Sequence, residues 1–103
     1  MTAAQIGSYK ERVAEWCHQF HVRRLDVFGS SVTDAFDPAR SDIDLLVEFE
    51  SVRDGEYADV WFGLREALEA LFERPVDLVT DSAVRNPYFR AELERTRRPL
   101  YAA

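Results

Sequence analysis

Asp42 and Asp44 stand one residue apart at the start of DIDLLVEFE, a segment that otherwise reads as an apolar β pattern. Alternate side chains of a strand project from one face, so the two carboxylates share a side, with Cα atoms about 7 Å apart. Side-chain rotation can bring both onto one ion. Two bare carboxylates about 4 Å apart repel by about 4 kcal/mol at an effective dielectric of 20. A cation between them reverses the sign, and an all-oxygen ligand set favours hard Mg²⁺ or Mn²⁺. Asp77, in PVDLVT, adds a third carboxylate if its strand lies beside DIDLLV with the polar face on the same side. Three carboxylates so placed suit two ions about 3.5–4 Å apart, the spacing that clamps attacking and leaving oxygens in phosphoryl transfer. Each aspartate also has a plain structural reading: Asp42 as a turn cap, Asp44 as a solvated strand residue, Asp77 as a strand-start residue.

Gly29 and Ser30 follow the short apolar run LDVF. A strand that ends in Gly-Ser before a helical turn presents backbone N–H groups and a hydroxyl to phosphate oxygens, and Gly lets the phosphate approach the backbone. Taken by itself, a Gly-Ser pair is more often an ordinary turn. There is no Lys of the Walker type after it, which argues against a P-loop ATPase.

These residues need a scaffold. Ile6, Tyr9, Val13, Trp16 and Phe20 recur at spacings of three and four, predicting an amphipathic helix over residues 3–20. LDVF predicts a strand over 25–28, residues 30–35 form a helical turn or a loop, and DPAR turns around Pro38. DIDLLVEFE predicts a strand with Ile43, Leu45, Val47 and Phe49 on one face and the aspartates on the other. Tyr57, Val60, Trp61, Leu64, Leu68, Leu71 and Phe72 make the strongest helical stripe, with Phe62 assigned to the core beside them. Arg74-Pro75 ends it. A third strand follows at PVDLVT, and Asn86-Pro87 starts a helix that runs to about Arg97. Pro99 stops it, leaving LYAA as an edge strand or a docked tail. The expected architecture is α/β of the α+β type: a mixed sheet of three or four strands, with helices packed mainly on one face and an open cleft lined by the aspartates.

The 103 residues predict a single domain over 1–103. A net charge of −6 disfavours a non-specific grip on a nucleic-acid backbone, although Arg95, Arg97 and Arg98 form a local basic cluster. One cysteine, Cys17, excludes an internal disulfide framework and a Cys-based zinc site, and reads as a small core residue. His18 and His21 lack a second ligand pair and read as surface residues. Lys10, Glu11 and Arg12 sit where a secretion signal needs an apolar run, and no stretch is long enough to span a bilayer, so the expected location is the cytoplasm.

FGS, then SDIDLLVEF, then VDLVT resembles the nucleotidyltransferase superfamily of DNA polymerase β type, in particular its small bacterial members, the minimal nucleotidyltransferases (MNT). The resemblance covers most of the chain, including the helix between the second and third motifs and NPYFRAELERTRRPLY at the end. It implies that Gly29 and Ser30 bind nucleotide phosphates and that Asp42 and Asp44 hold magnesium. Asp77 would complete the metal site and help to activate the attacking hydroxyl. The chain departs from many members directly after Gly-Ser, where Val32, Thr33 and Asp34 replace Ala-Arg-Gly, with Arg40 a candidate substitute for the lost Arg.

The resemblance further implies an antitoxin paired with a HEPN-domain ribonuclease toxin, which it neutralises by transferring AMP from ATP to a toxin tyrosine. It would act as a homo-oligomer or a hetero-oligomer with the toxin. A binding antitoxin that masks the toxin by contact, and a small-molecule nucleotidyltransferase, are the alternatives.

Overall fold

The computed structural model describes residues 3–29, 42–53 and 55–103. The segment 30–41 lies outside the described residues, and with it the expected helical turn and the DPAR turn.

The expected first helix is two helices, α1 (Ala3–Gly7) and α2 (Lys10–Gln19). The break has a local cause. Ser8 donates both its backbone N–H and its hydroxyl to the Gln5 carbonyl, at 3.1 and 2.6 Å, which competes with helical bonding. Ile6, Val13 and Cys17 nevertheless enter one core. After α2, His21 takes a left-handed conformation (φ 59°) and turns the chain straight into β1 (Val22–Val27). This strand begins three residues before the predicted LDVF. A bulge between Val22 and Arg24 shifts the alternation, so that Val22 and Leu25 both face the core.

β2 (Ile43–Phe49), α3 (Tyr57–Phe72) and β3 (Val76–Thr80) form a crossover unit whose strands pair in parallel. β1 is antiparallel to β2 and to β4 (Arg98–Ala102), giving the sheet order β3-β2-β1-β4. The tail is thus an edge strand, where the missing N–H of Pro99 is tolerated.

One face of the sheet carries Leu25, Val27, Ile43, Leu45, Val76 and Leu78 against Leu64, Leu68 and Phe72 of α3 and the buried side of α1 and α2. Tyr57 and Phe62 do not join this core as expected: they are 43% and 53% exposed. Tyr57 sets its ring edge-on to Phe49 and donates its hydroxyl to Thr80 Oγ1 at 2.6 Å.

The opposite face has its own small core of Phe28, Leu46 and Leu93, bordered by Val79 and Val84. Leu93 comes from α4 (Pro87–Thr96), which starts as the Asn-Pro signal requires: the Asn86 side chain accepts from the N–H groups of Tyr88 and Phe89. Arg90 anchors the helix to the 3₁₀ turn Asp81–Ala83, through the carboxylate and carbonyl of Asp81. At its far end the basic run is occupied internally. Arg95 pairs with Glu92, Arg97 with Asp26 and Glu94, and Arg98 bonds the carbonyls of Thr96 and Arg97.

Candidate active site

Asp44 of β2 and Asp77 of β3 are direct partners in the parallel register, so their Cα atoms are about 4.8 Å apart, the usual spacing between neighbouring strands. Ile43 and Leu45 on either side of Asp44, and Val76 and Leu78 on either side of Asp77, point into the main core. Both carboxylates must therefore project from the other face, the one that carries α4. Asp42, just before β2, is exposed.

Two of the acidic groups act on the third. Asp44 is half-buried, and its carboxyl is pushed up to about 6, first by burial and then by the negative charges of Asp77 and Asp42. No three His, Cys, Asp or Glu side chains among the described residues already form a closed ligand set. The donor chemistry fits a hard divalent cation such as Mg²⁺ or Mn²⁺, which would be held by oxygen alone and would offset the charge that raises Asp44. His18, in the last turn of α2, and His21, just beyond it, are both exposed and are not among the residues of this face.

Gly29 follows the end of β1. The preceding Phe28 N–H donates to the Asp44 carbonyl at 3.1 Å, which sets the two segments side by side. Gly29 adopts φ +67°, and a Cβ added there would lie 2.8 Å from Asp44 Oδ2. Glycine is thus favoured twice, for the left-handed backbone and for the room it leaves the carboxylate. The N–H of Gly29 is not free for phosphate, as the Gly-Ser reading expects: it donates to Thr96 Oγ1 at 3.1 Å. Thr96 is the residue that sequence reasoning missed. It lies 67 positions away, and no local pattern couples it to the glycine. Ser30 lies outside the described residues, as do Val32, Thr33, Asp34 and Arg40.

A cleft of about 620 Å³ lies between α2 and α3, lined by Trp16, Phe20, Gly63 and Leu71 among others. None of the aspartates lines it.

Residues 10–100 match the nucleotidyltransferase domain family. Two proteins of Methanocaldococcus jannaschii, each named "putative protein adenylyltransferase", are 36% and 30% identical over 76 residues, which is 74% of this chain and 74% of each relative. A solved structure described as a "putative minimal nucleotidyltransferase" superposes with a TM-score of 0.75 at 30% identity, covering 96% of both chains. The fold is shared with more distant structures. A complex of a tri-AMPylated Shewanella oneidensis HEPN toxin with an MNT antitoxin gives a TM-score of 0.64 at 16% identity, covering 95% of this chain and 73% of the other. A toxin–antitoxin structure with AMP-PNP gives 0.68 at 17%, covering 91% and 73%. With a paired acidic strand set beside a glycine turn, and a match running from α2 into β4, the chain belongs to the nucleotidyltransferase domain family.

Proposed function

We propose that this protein is a Mg²⁺-dependent nucleotidyltransferase that moves AMP from ATP to a tyrosine hydroxyl of a HEPN-domain toxin and thereby acts as its antitoxin in the cytoplasm. The observation that carries this reading is the Asp44–Asp77 pairing across parallel strands, with Asp42 close enough for its charge to act on Asp44. Support for the protein acceptor comes from the M. jannaschii relatives, which are named as protein adenylyltransferases. Support for the toxin comes from the fold shared with the MNT antitoxin bound to an AMPylated HEPN toxin.

Asp42, Asp44 and Asp77 would hold the magnesium. When bound, it supplies positive charge to the triphosphate and to the attacking oxygen. The toxin hydroxyl oxygen forms a bond to the α-phosphorus of ATP, and the bond from that phosphorus to the bridging oxygen breaks. Pyrophosphate leaves with the electron pair. The hydroxyl proton passes to the carboxylate of Asp77, which is exposed at the edge of the sheet, or to water. Gly29, whose own N–H is bonded to Thr96, and Ser30 would lie along the phosphates, and catalysis would come mainly from position and charge.

The test mixes the purified protein with its HEPN partner, Mg²⁺ and labelled ATP, GTP, CTP or UTP, alongside Asp42→Ala/Asp44→Ala. Label from ATP is expected on a toxin tyrosine and is expected to vanish with the double substitution. Toxin neutralisation that survives the substitution, with no label on the toxin, would establish the contact antitoxin instead.

A further inference from the structure

We infer that Thr96, in the last turn of α4, is a positioning residue that holds the Gly29 turn against the Asp44 carboxylate. Thr96 is 3% exposed, and its hydroxyl is used in both directions. It accepts from the Gly29 N–H at 3.1 Å and donates to the Glu92 carbonyl at 2.9 Å. A threonine that only bonded back to the carbonyl four residues earlier would slightly weaken its helix. The bond to Gly29 gives the hydroxyl a tertiary role.

Its neighbour makes the connection a double one. Arg97 places Nε and Nη2 each 2.6 Å from Oδ2 of Asp26, which lies in β1 three residues before Gly29. Consecutive residues of the α4–β4 junction therefore grip the end of β1 at two points. Gly29 has no Cβ, and the space this leaves is closed by Asp44 Oδ2. A shift of the turn by a fraction of an ångström changes what that carboxylate can reach. The apolar contacts of Leu93 with Phe28 and Leu46 already dock α4 on the sheet, so the hydroxyl is not needed merely to keep the helix in place.

The inference rests on the nucleotidyltransferase reading for its nucleotide measurement alone. Thr96→Val keeps the shape and the apolar contacts but removes the hydroxyl, and Thr96→Ser restores it. In the full-length protein with Mg²⁺ and AMP-PNP, Thr96→Val is expected to weaken nucleotide binding by about tenfold, in line with one lost buried hydrogen bond, and Thr96→Ser to return it to within about twofold. Independently of nucleotide, amide exchange at Gly29 should accelerate in Thr96→Val, and the Asp44 carboxyl carbon should shift at fixed pH, with both reverting in Thr96→Ser. A Thr96→Val protein that merely melts earlier, with Gly29 exchange, the Asp44 carbon and AMP-PNP affinity unchanged, would overturn the assignment. If the wild type fails to bind AMP-PNP, the nucleotidyltransferase reading falls, while the Gly29 and Asp44 signals still decide the role of Thr96.

Discussion

Gly29 and Asp44 are fitted to each other: the glycine has φ +67°, and the space where its Cβ would stand is closed off by Asp44 Oδ2 at 2.8 Å. Gly29→Ala therefore meets two penalties. A left-handed backbone costs a non-glycine residue about 1–2 kcal/mol, and the carboxylate must rotate away. Chemical denaturation should show a loss of about that size. Nucleotidyl transfer should fall further than stability explains, by about tenfold or more at a temperature where the variant stays folded. Wild-type transfer in a folded Gly29→Ala protein would contradict the proposed place of Asp44 in the site.

The raised Asp44 carboxyl links stability to pH. The folded protein holds this proton up to about pH 6, whereas the unfolded chain releases it near the ordinary value of 3.8. Between these values the folded state binds more protons, so stability falls as pH rises. The penalty is absent below about pH 4 and complete above about pH 6. Asp44 is half-buried, and after allowance for solvent screening about 1 kcal/mol is expected to remain. Denaturation without divalent cations, at pH 4.5 and 7.5, should show this slope in the wild type and its loss in Asp44→Asn. Added Mg²⁺ should stabilise the wild type at pH 7.5 and leave Asp44→Asn nearly unchanged.

The strands and their faces were legible because alternation survives wherever a strand is regular. Ile43, Leu45 and Val47, then Val76 and Leu78, mark the core side and leave Asp44 and Asp77 on the other. Whether those two aspartates meet depended on strand order, which the parallel β2–α3–β3 crossover supplies. The apolar stripe of α3 runs to Phe72, its last residue, but the helix ends at the left-handed Glu73, just ahead of the expected Arg74-Pro75 stop. Local devices hid the rest. Ser8 breaks the first helix through bonds to Gln5, and the bulge at Val22 disguises the start of β1. Phe62 is 53% exposed, and Tyr57, 43% exposed, touches the sheet only at its margin, through Phe49 and Thr80. Thr96 is a purely tertiary partner of Gly29, beyond the reach of any pattern in neighbouring residues.

Asp26 is fully buried and is held by Arg97 at 2.6 Å and by Arg24 at 3.1 Å. Removing one partner of such a group strands the other. Among the described residues, Asp26→Ala leaves the 15% exposed Arg97 with only Glu94 as an anionic partner, and about 3–5 kcal/mol of stability should be lost. Replacing both, as Asp26→Leu/Arg97→Met, should recover most of that loss in urea denaturation, because two apolar side chains need no partner. Equal losses in the single and double variants would mean that packing, rather than an uncompensated charge, sets the cost.

Leu93 tests whether the two faces of the sheet are separable. It is fully buried, yet among the described residues its cluster contains only Phe28 and Leu46 as further buried members, whereas Leu68 belongs to the larger core on the opposite face. Either leucine replaced by alanine should cost about 2–5 kcal/mol, but the consequences should differ in place. Leu68→Ala weakens the core that joins α1, α2 and α3 to the sheet, so amide protection should fall across the whole molecule. Leu93→Ala weakens only the seat of α4, so protection should fall first in Pro87–Thr96 and at Gly29, whose N–H depends on Thr96 at the end of that helix. At matched stability, Leu93→Ala should therefore lose more transfer activity than Leu68→Ala. Hydrogen exchange and nucleotidyl transfer measured on the two variants check this. Uniform loss of protection in both would mean that α4 unfolds with the main core, and that the acidic face has no local opening of its own.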